Sequence, residues 1–91
     1  MEQLRARYQG ALTPSGHEIS AECNEATGQL SLWWVEKKGR QSVPHPITLI
    51  VKPTAESYQV TSFIDLEPGK SRLCPDLASA CDAIDEQIRK H

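Results

Sequence analysis

Through the middle of the chain, residues 17–64, apolar and polar side chains alternate in short runs bounded by turn-forming residues. That period of two is the mark of half-buried β-strands. In residues 17–23, Ile19, Ala21 and Cys23 point one way and Glu18, Ser20 and Glu22 the other, between two turn-rich segments. Residues 29–36 alternate again, but here both sets are apolar in part: Leu30, Leu32 and Trp34 on one face, Trp33 and Val35 with Ser31 on the other. Residues 43–46 must be extended because of Pro44 and Pro46, which points to a sheet edge or a crossing loop. Residues 47–52 and 57–64 supply two more strands, the first putting Ile47, Leu49 and Val51 opposite Ile50, the second setting Tyr58, Val60 and Ile64 opposite Phe63.

The period changes only near the C-terminus. Glu67-Pro68-Gly69-Lys70 has the proline and glycine of a type II turn, predicting a sharp reversal before the last segment. Beyond it Leu77, Ala80, Cys81, Ile84 and Ile88 fall on one helical stripe, with Pro75 at the first helical position and Asp76 at the positive end of the dipole. Asp85 with Arg89 and Glu86 with Lys90 are spaced for ion pairs along the helix. The first dozen residues fit a strand through Leu4, Ala6, Tyr8 and Leu12, or a helix through Met1, Leu4 and Tyr8, and Gly10 favours the strand. The expected fold is α+β: an antiparallel sheet of four to five strands in near-meander order, with one C-terminal helix packed on one face.

At 91 residues the chain is sized for a single domain, residues 1–91, with one core. Ten Lys and Arg against twelve Asp and Glu leave a net charge of −2, which gives no long-range pull toward nucleic acid or an anionic membrane. The longest apolar run is far short of a membrane span, and the N-terminus lacks the apolar stretch of a secretory signal, so the expectation is a cytoplasmic protein with no membrane partner. Three cysteines, Cys23, Cys74 and Cys81, with no CxxC spacing, suit a reducing compartment.

The sequence carries no recognisable catalytic or cofactor motif. Gly69-Lys70-Ser71 ends like a phosphate-binding loop, but Ile64 stands where that loop needs glycine and Pro75 interrupts the helix that should follow the lysine. Cysteines and histidines lie too far apart for a chelating pair, so no metal and no cofactor is expected. Cys23 and Cys81 read as small hydrophobes, while Cys74, just ahead of the helix, stands where a thiol pKa can fall. There is no nucleophile elbow, and Asp82, Asp85 and Glu86 read as the solvated arc of the helix. No enzyme is expected.

The expected function is therefore binding. The leading class is a small inhibitor, immunity factor or adaptor that binds a protein, of which a phage-encoded inhibitor of a host defence complex is one example. A homodimer belongs to the same class of reading. The alternatives are a nucleic-acid-binding module using the basic hairpin Lys37, Lys38 and Arg40 with Trp33 and Trp34, joined by Arg5 and Arg7, and a structural subunit of a larger assembly. Counting faces sharpens the first: one helix covers one side of the sheet, and pleat alternation sends Trp33, Val35, Ile50 and Phe63 to the other, with Lys37, Lys38 and Arg40 at the rim. Thiol titration of protein purified under reducing conditions should count three free thiols after denaturation; a disulfide, or zinc retained through dialysis, would contradict this.

Overall fold

The computed structural model describes residues 2–38, 43–64 and 67–90. In chain order it has a short helix α1 (Glu2–Tyr8), then β1 (Ser20–Cys23), β2 (Leu30–Lys38), β3 (Val43–Pro53), β4 (Tyr58–Ile64) and β5 (Glu67–Cys74), and last α2 (Leu77–Arg89). The strands form one antiparallel sheet in the order β1-β2-β3-β4-β5, the meander expected from the alternation.

One strand expectation is settled between its alternatives and one is corrected. Residues 43–46 lie at a sheet edge and form no crossing loop: they lengthen β3 and pair with the end of β2, Val35 opposite Pro46 and Lys37 opposite Pro44. The prolines are tolerated there because β4 reaches only to Ile47, so this stretch of β3 has a strand partner on one side alone. The segment read as a type II turn is instead β5, whose Glu67 pairs with Ile64. Its proline and glycine serve a bulge. Thr61 pairs with Ser71 and Phe63 with Pro68, so Gly69 and Lys70 together face the single residue Ser62. A Cβ on Gly69 would lie 2.7 Å from Ser62 Oγ and 3.2 Å from its carbonyl oxygen, so any side chain here must push the Ser62 hydroxyl aside and crowd its backbone.

The core lies on one side of the sheet. Ala21, Leu30, Leu32, Trp34, Ile47, Leu49, Val51 and Val60 are buried there beneath Ala80, Ala83 and Ile84 of α2, with Leu77, Cys81 and Ile88 partly buried against them. The helix starts two residues later than its sequence implies: Leu77, not Pro75, is its first residue, and Asp76 is the N-cap, whose side chain accepts from Ser79 N–H at 2.8 Å. That bond holds the Asp76 carboxyl below its ordinary pKa. Nor do the helix acids pair along the helix as their spacing implies. Glu86 reaches Arg72 of β5 at 2.9 Å, and Asp85 turns toward α1.

The N-terminal segment is a helix, against the strand reading, and Gly10 is the reason it stops rather than a sign of a strand. At φ +81° Gly10 takes the left-handed conformation that ends α1. The chain then runs back beside β1, with Gly10 N–H bonded to Ile19 C=O, Ile19 N–H to Ala11 C=O, and Ala21 N–H to the Gln9 side chain, each at 2.8 Å. Seven residues make a marginal helix in water, so α1 depends on what it touches. Leu4 and Tyr8 are buried in the same core that α2 covers. The Tyr8 hydroxyl donates to Asp85 Oδ1 at 2.6 Å and lies 3.0 Å from Cys81 Sγ, while Arg7 approaches Asp85 Oδ2 at 3.5 Å. Burial first, then the Asp85 and Cys81 contacts, keep the phenol protonated well above its usual range.

Three stability outcomes follow. Ile84→Ala should cost about 2–5 kcal/mol in denaturant titration, the range for deleting a large buried side chain. Gly69→Ala should cost about 1–3 kcal/mol through overpacking, part of it recovered when Ser62→Ala removes the nearest obstructing atom. Tyr8→Phe should cost about 1–2 kcal/mol near neutral pH. The raised Tyr8 pKa stabilises the fold fully below about pH 10 and progressively less above it, as the unfolded phenol ionises, so Tyr8→Phe should also flatten the alkaline fall in stability.

Candidate functional site

Because both helices lie on the same side, no described helix covers the other face of the five strands. Cross-strand pairs define its rows. Ser20, Trp33, Thr48, Phe63 and Pro68 form one, and Glu22, Ser31, Ile50, Thr61 and Ser71 the next. Lys52, Gln59 and Leu73 lie beyond Ile50, and Val35 lies beyond Trp33 opposite Pro46. All four residues assigned to this face from the pleat are on it. Trp33 is 36% exposed and Val35 46%, while Ile50 and Phe63, each flanked by neighbouring strands, are half-buried. Ile50 is diagonal to both Trp33 and Phe63, which sit on either side of Thr48, so the apolar residues are continuous across β2, β3 and β4. Leu73, 68% exposed on β5, is a further apolar residue of this face, set apart from the others by Gln59 and Thr61; sequence reasoning missed it because its strand was read as a turn.

The rim is only partly visible. Lys37 and Lys38 close β2, but their side chains, and Arg40 altogether, lie outside the described residues. Other members of the basic and aromatic grouping are separated by the fold. Trp34 is 2% exposed on the core side, its Nε1 donating to Glu36 Oε1 at 3.2 Å, so the two tryptophans cannot stack on bases together. Arg5 and Arg7 sit on α1, on the opposite side of the sheet, where Arg5 pairs with Glu2 and Arg7 with Asp85.

Several polar groups elsewhere serve the fold. Thr13 Oγ1 accepts from His17 N–H at 3.1 Å and so caps its own turn. Cys74, which its place before the helix made a candidate reactive thiol, is buried at the end of β5, and burial pushes its pKa up rather than down. Asp85 is no solvated helix residue, being half-buried and bonded to Tyr8. Among the described residues, no three His, Cys, Asp or Glu side chains gather to hold a metal ion, and no helix is long and apolar enough to cross a membrane. A groove of about 390 Å³ between α2 and β5 is lined by Lys70, Arg72, Glu86 and Lys90 over Val60, Ser62 and Ala83, with Arg72 and Glu86 spent on each other. No family model, curated protein or solved structure matches the chain.

The two tryptophans, one per face, make the arrangement measurable. With Trp34 as the sole tryptophan (Trp33→Phe), emission should be blue-shifted and resistant to acrylamide. With Trp33 alone (Trp34→Phe), it should be red-shifted and readily quenched; matching behaviour in the two variants would mean that the outer face is covered.

Proposed function

We propose that the protein works by binding another protein, without catalysing a reaction, through the outer face of its sheet, as small inhibitors and adaptors do. One observation carries this reading: α1 and α2 share the inner face, so Trp33, Val35, Ile50 and Phe63 stay uncovered as one apolar surface spanning three strands. Exposed contiguous apolar surface marks interaction sites on small proteins, and tryptophan is among the residues most enriched at their energetic centres. The nucleic-acid reading has less support, because Trp34 and the α1 arginines are committed elsewhere and the described centre of the face is uncharged. Free Cys23, Cys74 and Cys81 support a reducing compartment, the cytoplasm.

Trp33→Glu and Val35→Glu are the test. Both variants should keep the far-UV spectrum and melt close to the parent, yet lose the proteins that the parent retains in pull-downs from its native host, at low and high salt alike. Unfolding of both variants, or retention of every bound protein, would contradict the proposal.

A further inference from the structure

We infer that the groove between α2 and β5 binds a small phosphate monoester. The groove lies on the helix-bearing side of the sheet, so it is separate from the protein-docking face and stands whether or not that face binds a protein. Ser62 gives the first reason. It is 9% exposed and belongs to the groove wall, yet its hydroxyl has no hydrogen-bond partner among the described residues. The hydroxyl is not sealed in either, because no fully enclosed side-chain oxygen or nitrogen among those residues lacks a partner. Gly69 keeps it open: a Cβ on this bulge residue would lie 2.7 Å from Ser62 Oγ, and glycine leaves that space empty. A buried donor of this kind needs water or a ligand oxygen to satisfy it, and a ligand oxygen can displace the water.

Charge names the ligand. Lys70, Arg72 and Lys90 line the groove against one carboxylate, Glu86, which leaves two positive charges in excess. Arg72 and Glu86 hold each other at 2.9 Å from β5 to α2. Lys70 and Lys90 make no ion pair among the described residues, and they bring their cations from the two walls, Lys70 from the bulge of β5 and Lys90 from the C-cap of α2. A phosphate monoester carries about −1.5 to −2 charges at neutral pH on three acceptor oxygens, which matches two ammonium groups and one hydroxyl donor. A monocarboxylate would leave one of the cations unmatched. Val60 and Ala83, both buried, add apolar surface for the carbon body of the ester. The volume of about 390 Å³ falls within the roughly 300–1,000 Å³ of small-molecule sites.

Amide chemical-shift titration with phenyl phosphate tests the site. The shifts should saturate and be confined to the groove, centred on Ser62, Lys70 and Gln87. Lys70→Gln and Lys90→Gln should each weaken binding about tenfold, the usual loss when one hydrogen bond to a charged group is removed. Both lysines are exposed, so these variants should melt like the parent. Ser62→Ala should weaken binding several-fold, while Lys52→Gln, on the outer face, should leave it unchanged. Benzoate, with the same ring and a single charge, and inorganic phosphate, with the charge and no ring, should both bind more weakly than phenyl phosphate. Shifts that spread over the whole surface, titrations that fail to saturate at millimolar phenyl phosphate, equal affinity for benzoate or inorganic phosphate, or an affinity that both lysine variants leave unmoved would overturn the inference.

Discussion

The Tyr8 hydroxyl, 2.6 Å from Asp85 and 3.0 Å from Cys81, links the first element of the chain to the last. The link holds α1 on the side of the sheet that α2 already covers. A helix of seven residues has little stability of its own, and its one wide apolar anchor, Tyr8, ends in a polar atom that must find a partner when buried. Asp85 supplies that partner on α2, so α1 settles beside α2 over β1 and β2 while α2 lies over β4 and β5. Had α1 crossed to the other face, Trp33 would have been its natural cover. Instead the two helices divide one side between them, α1 over β1 and β2 and α2 over β4 and β5.

Much of this architecture is legible in the residues themselves. Alternation places each residue of β2, β3 and β4 on its side of the sheet, since a one-residue slip would exchange the buried and wet sets wholesale. The stripe through Ala80 and Ile84 identifies α2, although Ala83, buried against the sheet, is too small to stand out in the pattern. What escapes is local chemistry that serves two structures equally well. Pro68 and Gly69 are right for a turn and equally right for an edge-strand bulge, and only the closeness of Ser62 separates the two. Gly10 breaks a helical pattern in the sequence and terminates a helix in the fold. Two turns of α1 are also too short to reveal a period.

The candidate site divides along the same line. Trp33 and Trp34 are neighbours in sequence, so in a strand they must serve opposite faces, and parity alone assigns Trp33, Val35, Ile50 and Phe63 to one surface. The direction in which the N-terminal arginines lie cannot be read that way. Arg5 and Arg7 resemble additions to a basic patch until the helix carrying them is docked, when Glu2 and Asp85 take them up. Proximity across the sheet is set by α1, the element whose pattern is weakest.

A meander leaves two outer strands, and each could in principle go on recruiting strands from other molecules without limit. Here both recruiting sites are spoiled by the chain itself. Beside β1 the returning segment and the Gln9 amide already hold Ile19 and Ala21. Along β5, Pro68 offers no donor, and the two-against-one step at Gly69 throws any straight newcomer out of register. Sideways growth into ribbons or fibrils is thereby hindered at both edges, although the molecule exposes an apolar, strand-rich surface.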